Sequence, residues 1–394
     1  MSGVTINMSR RRHSPQVLLL LETSRAYGRG LVEGIARYVE QHGPWSMFFE
    51  ERGLNDPIPN WFKDWKGDGI ISRTVRKADL RRLQSTGLPM IELYADSSLD
   101  IPCVYVDSGA ITEMAVEHFL ERGLRNMAFF CNDRNHWIDE RRESFVTELE
   151  RRGLVCAVFA ASSERQKDWS QQVERREVTC WLRSLPKPCG IFCASDLYAA
   201  RIMNICRSVG IAVPEQIAVL GVDNDPVLCS VCFPPLSSID LGCPRIGYEA
   251  ASMLDRLMSG KNCRKNKKFL MPERLVARQS TDVLNVDDPD LAKAIQYIRQ
   301  HACMGLRVAE VATALGFSRR ALEKQMQRFV QRTPKEEIMR LRMERARMLL
   351  QQTDMSVEQI CRKSGFASFK YFARAFRREI GLTPREYRKR HRIL

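Results

Sequence analysis

Long apolar runs are missing from this sequence of 394 residues. Basic residues precede the apolar stretch VLLLL, as they do in a signal peptide, but Glu22 ends that stretch. A signal peptide needs a longer apolar segment, and no run approaches the roughly 18 residues that cross a bilayer. We therefore expect no membrane span and a cytoplasmic protein, in which the 13 Cys residues stay reduced.

Motifs that would indicate an enzyme are also missing. The sequence has no G-x-x-x-x-G-K-[ST] phosphate loop, and Gly28, Gly30 and Gly34 miss the spacing of a dinucleotide-binding loop by one residue. His118 lies in a helical pattern and His136 in a polar loop, and neither has an evident Ser or Cys nucleophile as a partner. These absences argue against catalysis and against a bound cofactor.

Two pairs of cysteines, Cys189 with Cys193 and Cys229 with Cys232, could together form a four-thiolate zinc site. Against this, Cys193 lies inside the apolar run GIFCAS, where Cys acts as a small hydrophobe, and the second pair lacks turn-forming neighbours. The pattern favours buried thiols over a metal site and leaves a redox role open.

Positive charge is concentrated near the end of the chain. The net charge is +15, and residues 285–394 hold 24 Lys and Arg against 12 Asp and Glu, which leaves a net charge of +3 for residues 1–284. A compact basic segment is typical of a protein that binds a polyanion, because Lys and Arg placed on phosphates release condensed counterions. On charge alone, a solvated helical surface explains the pattern equally well.

Short β-type runs alternate with amphipathic helical patterns between residues 16 and 279. The strand candidates are VLLLL, DGIIS, PMIELYA, CVYVD, NMAFFCN, GIFCAS and IAVLGVD. The helical patterns cover 26–42, 109–122, 139–152, 197–209 and 244–258. After a short N-terminal tail at 1–15, we predict a parallel α/β domain of one or two lobes that binds ligands at the carboxyl ends of its strands.

A repeated helical unit follows an acidic linker, STDVLNVDDPD at 280–290. Within residues 291–394, VAEVATALGFSRRALEKQMQRFVQRTP aligns with VEQICRKSGFASFKYFARAFRREIGLTP. In both copies a short helix ends at Gly-Phe, a Ser follows that can cap the next helix, and a longer basic helix ends before Thr-Pro. The copies, at about 308–329 and about 356–380, are helix-turn-helix in form, and a helix at 334–352 joins them.

The longer helix of each copy has a core face and an exposed polar face. Phe369, Phe372, Phe376 and Ile380 recur at three and four residues, so we assign them to the core rather than to base stacking. On the opposite face, side chains near the N-terminal half of each helix can reach base edges in the major groove. We predict DNA contacts for Ser318, Arg319, Arg320, Glu323, Lys324, Gln327, Ser368, Lys370, Tyr371 and Arg374, and phosphate contacts for Arg378 and Arg388.

The ending GF…F…FR…G.TP..YR at 365–388 closely resembles that of the AraC/XylS family of bacterial transcription regulators, and the resemblance covers residues 290–390. It implies a DNA-binding domain of two helix-turn-helix units that recognises operator or promoter DNA. Such domains usually activate transcription through contact with RNA polymerase. The first copy departs from the pattern because Gln331-Arg332 precedes Thr333-Pro334, so the Gly that the second copy has at Gly381 is missing.

Three segments of the α/β part, VDSGAITEMAVEHFLERGLRNMAFF, ASDLYAARIMNICRSVGIAVPEQIAVLGVDND and FPPLSSID, resemble the ligand-binding core of the LacI/GalR regulators and periplasmic sugar-binding proteins. This implies a two-lobed sensor domain at 16–279, followed by the all-α domain with two helix-turn-helix motifs. It further implies a homodimer that activates transcription when a pentose, with xylose expected, closes the cleft. The resemblance places in that cleft Asp107, Arg141, Asp223 and Asp196, with Trp169 as a stacking ring.

Two other functions stay open from the sequence. A regulator that ignores sugars, acting for instance as a repressor, would bind the same DNA without a sugar effect. An α/β enzyme with an accessory DNA-binding tail would turn over a small molecule instead.

Overall fold

The computed structural model consists of two compact units, divided between Val283 and Leu284. Two six-stranded sheets with flanking helices build the first unit, and helices build the described part of the second. The prediction of an α/β part followed by an all-α part is therefore confirmed. The structure describes residues 14–94, 101–133, 135–159, 171–260, 267–283, 288–330 and 332–391.

The first sheet contains strands whose neighbours all pair in parallel. They are β1 (Gln16–Leu20), β2 (Ser46–Phe49), β3 (Gly69–Ser72), β4 (Met90–Glu92), β5 (Cys103–Val106) and β11 (Lys267–Leu270). Their order across the sheet is β11-β5-β4-β3-β1-β2. Because helices cover both faces of such a sheet, its central strands are mostly apolar, and Val17 and Leu18 are fully buried.

The second sheet is parallel except at one edge, where its last strand runs antiparallel. Its strands are β6 (Asn126–Phe130), β7 (Cys156–Val158), β8 (Cys189–Cys193), β9 (Ile217–Val222), β10 (Ser237–Asp240) and β12 (Arg274–Val276). Their order is β12-β10-β9-β8-β6-β7. Each sheet therefore takes most of its strands from one half of the unit and its last strand from residues 267–276.

Eight helices flank the sheets in the described part of the first unit. They are α1 (Ala26–His42), α2 (Lys77–Gln84), α3 (Ser108–Glu121), α4 (His136–Arg151), α5 (Gln171–Ser184), α6 (Asp196–Ser208), α7 (Pro226–Val231) and α8 (Cys243–Met258). Helices α1 and α8 pack closely because glycines replace side chains where they meet. A Cβ atom at Gly34 would lie 1.8 Å from the Pro244 carbonyl oxygen, so this glycine of the near-match motif serves helix packing.

The second unit has two apolar cores that share one long helix. Its helices are α9 (Pro289–His301), α10 (Val308–Ala314), α11 (Arg319–Val330), α12 (Pro334–Gln352), α13 (Val357–Lys363), α14 (Phe369–Ile380) and α15 (Pro384–His391). Helix α12 contributes Leu341 to a core with Leu322 and Met326, and Leu350 to a core with Phe372 and Phe376. One helix thus holds both helix-turn-helix copies.

Turn chemistry sets the direction of both longer helices. Gly316 and Gly365 have φ angles of +72° and +80°, the left-handed conformation that ends a helix at low cost for glycine. Ser318 Oγ then accepts a hydrogen bond of 3.1 Å from the N–H of Ala321, and Ser368 caps α14 in the same manner. The assignment of Phe369 to the core is wrong, since it is 41% exposed. As the first residue of α14, it has no preceding helical turn to lie over.

The first unit extends further along the chain than the linker prediction at 280–290 placed it. Ser280 and Thr281 are fully buried, and Ser280 Oγ donates a hydrogen bond of 2.6 Å to the Val219 carbonyl. At the other end, α9 already begins at Pro289, behind the capping residue Asp288. In the described part of the chain, none of the helices is long and apolar enough to cross a membrane.

Candidate functional site

A small cavity lies where the carboxyl ends of strands from both sheets meet, at the position where parallel α/β folds bind ligands. Its volume is about 60 Å³, several times the space that one water molecule needs. The residues that follow β1, β3, β4, β5, β9 and β10 line it, together with one face of α4. These residues are Glu22, Arg25, Tyr27, Arg73, Leu93, Tyr94, Tyr105, Val106, Ser108, Trp137, Glu140, Arg141, Asp223 and Leu241.

Glu22 and Arg73 form an ion pair in the wall contributed by the first sheet. The Glu22 side chain is fully buried, and the Arg73 guanidinium lies 4.5 Å from the centre of the Tyr27 ring. Burial lowers the pKa of Arg73, but Glu22, Tyr27 and Asp223 outweigh it and hold that pKa above its usual value. Arg73 therefore presents a permanent positive charge to the cavity.

Arg141 and Asp223 bring opposite charges to the wall contributed by the second sheet. Arg141 is 7% exposed, donates a hydrogen bond of 2.5 Å to the Ala194 carbonyl and lies 5.2 Å from the centre of the Trp137 ring. Burial lowers the pKa of Arg141 while Asp223 opposes that change. Burial also raises the pKa of Asp223 to about 7, although Arg141 and Arg73 pull it down.

Three buried polar atoms of lining residues have no hydrogen-bond partner among the residues described: Arg141 Nε, Trp137 Nε1 and Glu22 Oε1. An unsatisfied buried donor or acceptor costs about 1–3 kcal/mol, and native structures hold few of them. Two donors and one acceptor around a single cavity match a ligand that both donates and accepts hydrogen bonds. A polyhydroxylated molecule has this property at every carbon that carries a hydroxyl.

The predicted ligand residues do not all lie in the wall of the cavity. Arg141 and Asp223 line the cavity. Asp107 lies between the lining residues Val106 and Ser108, but its carboxylate caps α3 by accepting a hydrogen bond of 3.1 Å from the N–H of Ala110. Trp169 lies outside the described residues.

Asp196 lies beneath the site rather than in its wall. It is 1% exposed and accepts hydrogen bonds from Ser238 Oγ at 2.6 Å and from the N–H of Asp225 at 2.7 Å. Burial and the nearby Asp223 raise the pKa of Asp196 well above its usual value. This carboxyl therefore supports the turn that carries Asp223.

The sequence interpretation missed Glu22, Arg73 and Trp137. Glu22 and Arg73 each follow a predicted strand directly, which is the same signal that drew attention to Asp107 and Asp223. Trp137 lies four residues before Arg141 on α4, so both side chains share one face of that helix.

Of the four cysteines considered for zinc, Cys189, Cys193 and Cys229 are buried and Cys232 is half-buried. Cys189 and Cys193 lie within β8, and burial raises the pKa of the Cys189 thiol to about 12. Cys229 also has a raised pKa because of burial, and its thiol donates to Asp196 at 3.5 Å. In the described part of the chain no group of three or more His, Cys, Asp and Glu residues is placed to hold a metal ion.

The predicted DNA-contacting side chains lie along the outer faces of α11 and α14. Glu323 is half-buried and pairs with Arg319 at 2.9 Å, which keeps both side chains along the helix. The guanidinium of Arg388 donates to the Met355 carbonyl, and its predicted contact with phosphate stays a prediction. Exposed residues of this group are Ser318, Arg319, Arg320, Lys324, Gln327, Ser368, Lys370, Tyr371, Arg374 and Arg378.

Comparisons with known proteins agree with both units. A family model described as a periplasmic binding protein-like domain matches residues 116–281, and one described as a helix-turn-helix domain matches residues 293–390. Fold, site and these matches define a DNA-binding transcription regulator with a sensor domain in front of its helix-turn-helix domain.

The particular family follows from relatives that match along nearly the whole chain. The xylose operon regulatory protein of Haemophilus influenzae is 32% identical over 384 residues, which cover 95% of this chain and 98% of that protein. The protein of that name from Escherichia coli is also 32% identical, over 97% of this chain and 98% of its own length. The chain belongs to the family of the xylose operon regulatory proteins. A solved structure of a xylose-binding transcription activator matches at a TM-score of 0.81 and 29% identity, covering 97% of this chain and 99% of that one.

Proposed function

We propose that the cavity binds a small sugar, most specifically D-xylose, and that this chain activates transcription in response. The observation that supports the proposal is a set of buried atoms around one cavity, Arg141 Nε, Trp137 Nε1 and Glu22 Oε1, that have no hydrogen-bond partner in the described part of the chain. Relatives that match over nearly the full length are named for the xylose operon, which directs the choice of sugar. The protein would act in the cytoplasm, as a homodimer, with RNA polymerase as a further partner.

The lining residues suit the chemistry of a sugar. A carboxylate such as Asp223 or Glu22 accepts hydrogen bonds from vicinal hydroxyls, and a guanidinium donates in a fixed fork. Trp137 offers both an apolar ring face and a ring N–H. Asp107, half-buried beside the cavity, and Asp196 beneath it belong to this proposal as supporting residues, and Trp169 stays a prediction.

The outer faces of α11 and α14 would read operator DNA in two successive major grooves. Lys324 and Arg374 are exposed on these faces and would reach base edges, where each good contact discriminates by about 1–3 kcal/mol. Arg378 would contact phosphate, which positions the domain without specifying sequence.

Calorimetric titration of the full chain with D-xylose, L-arabinose, D-ribose and D-glucose tests the proposal. We expect saturable binding that is strongest for D-xylose, and a rise in apparent stability with sugar concentration, because the ligand binds the folded state. Arg141→Met removes the unpaired donor and keeps an apolar stem, so it should abolish measurable binding. Unchanged D-xylose affinity in this variant would place the sugar elsewhere, and no response to any of the four sugars would reject a sugar sensor.

A further inference from the structure

The turn that carries Asp223 has an unusual backbone conformation. Asp223 and Asn224 have φ angles of +106° and +50°, in the region that residues with side chains rarely adopt. Such conformations persist where surrounding contacts over-determine them, and they concentrate at ligand sites and switches. The contacts that hold Asn224 therefore also decide where the Asp223 carboxylate points.

Asn224 is held from three directions. Its N–H donates to Ser238 Oγ at 2.9 Å, and its side-chain Nδ2 donates to Asp240 Oδ2 at 3.1 Å. Its Oδ1 accepts a hydrogen bond of 2.8 Å from Arg278 Nη2. Two of these three partners lie on β10, and the third lies 54 residues further along the chain.

Arg278 begins the segment through which the chain leaves the first unit. Its Nη1 donates to the Leu236 carbonyl at 2.8 Å, and its own N–H donates to Ser237 Oγ at 2.8 Å. Two residues later, Ser280 Oγ donates to the carbonyl of Val219 on β9. The first unit ends at Val283, five residues after Arg278. The exit segment, residues 278–283, is therefore bound to β9, the strand that Asp223 directly follows.

We propose that Arg278 is a positioning residue of the ligand site and that it couples the site to the exit segment. By holding Asn224, it keeps the adjacent Asp223 aimed into the cavity. A sugar bound to Asp223 stabilises this arrangement, and the exit segment that leads to the helix-turn-helix unit then adopts one position. This inference rests on the proposed sugar-binding function.

The coupling has to be reciprocal, because two ligands that share one conformational equilibrium change each other's affinity by the same factor. This coupling can therefore be measured directly as a ratio of two D-xylose affinities, one with and one without bound promoter DNA. A residue that only stabilises the fold would change the free energy of unfolding and leave this ratio unchanged.

The experiment compares Arg278→Ala, Asn224→Gly and the double variant as full chains, by titration with D-xylose in the presence and absence of promoter DNA that the wild-type chain binds. Arg278→Ala should lower D-xylose affinity about tenfold, because Asn224 loses its charge-assisted hydrogen bond from Arg278 and no longer holds Asp223 in place. Asn224→Gly should keep affinity within about threefold, since glycine adopts positive φ without strain and needs no support. Adding Arg278→Ala to Asn224→Gly should then have almost no further effect on affinity.

In both single variants the ratio of affinities with and without DNA should fall towards one. Arg256→Ala, at an exposed position in the last turn of α8, is the matched control and should change nothing. If Arg278→Ala does not fold, the loss of coupling in Asn224→Gly tests the same link. Equal losses of affinity from Arg278→Ala in the wild-type and Asn224→Gly chains, or a wild-type ratio in Asn224→Gly, would overturn the inference alone. Failure of the wild-type chain to bind D-xylose would overturn the proposed function and this inference with it.

Discussion

Exchanging Asp223 for Asn would remove a buried negative charge from the cavity while keeping the shape of the side chain. Asn tolerates positive φ about as well as Asp, so the backbone at a φ of +106° should persist. Burial raises the pKa of Asp223 from 3.8 to about 7, against the opposing effect of Arg141 and Arg73. Ionising this residue therefore costs stability in the folded chain.

The magnitude follows from the two pKa values. Between pH 3.8 and about 7 the folded chain keeps a proton that the unfolded chain has lost, so the free energy of unfolding falls as the pH rises through this window. The two pKa values differ by about 3, and each pKa unit corresponds to 1.36 kcal/mol. The free energy of unfolding therefore falls by about 4 kcal/mol in total. From pH 5 to pH 8 the wild-type chain should lose roughly 2–3 kcal/mol through Asp223, and Asp223→Asn should not.

Urea unfolding at both pH values, followed by Trp fluorescence, measures this difference. All 6 Trp residues lie before residue 182, so the signal reports on the first unit. Asp223→Asn should also bind D-xylose about tenfold to a hundredfold more weakly at pH 8, with no rise in affinity between pH 6 and pH 8, whereas wild-type affinity rises as the carboxylate ionises. Parallel pH dependences of stability in both proteins would refute the reasoning.

Three further outcomes are expected. Trp137→Phe keeps the ring and loses Nε1, so D-xylose affinity measured by calorimetry should fall about threefold to tenfold, while an unchanged affinity would remove this donor from the site. A fragment of residues 288–394 should be helical by circular dichroism and bind DNA with an affinity that falls steeply with salt, and Arg374→Ala should reduce its preference for operator over random DNA. Arg388→Ala should lower the melting temperature of that fragment, because the contact with Met355 is lost. A drop in DNA affinity with unchanged melting temperature would instead support the predicted contact of Arg388 with phosphate.

Apolar runs and helical periodicity predicted the central elements of both units well. The helix predicted at 26–42 occupies Ala26–His42, and the predicted strand GIFCAS corresponds to β8 at Cys189–Cys193. The edge strands β2 and β11 were missed, because each is short and partly polar or exposed. β2 has the sequence SMFF and is exposed along its length, and β11 begins with two Lys residues. Pairing with a neighbour distant in sequence, and not local preference, makes these segments strands.

Only part of the site could be predicted from the sequence. An Asp that follows a buried strand can either cap the next helix or contact a ligand. Asp107 and Asp223 both follow a buried strand, yet Asp107 caps α3 while Asp223 lines the cavity with a positive φ. Sequence does not separate a cap from a ligand residue at this junction. The pair Glu22–Arg73 joins residues that are 51 positions apart, so its partnership emerges only when β1 and β3 lie side by side.

The late strands β11 and β12 have a consequence for synthesis of the chain. Each sheet receives an edge strand from residues 267–276, later in the chain than all its other strands, which end at Val106 in the first sheet and at Asp240 in the second. Neither sheet can be completed until almost the whole first unit has emerged, and translation of the helix-turn-helix unit then follows within about twenty residues. A nascent chain arrested before residue 267 would expose two open sheet edges and invite pairing with other chains. Because of this order of strands, the first unit can complete its fold only shortly before the DNA-binding helices are synthesised.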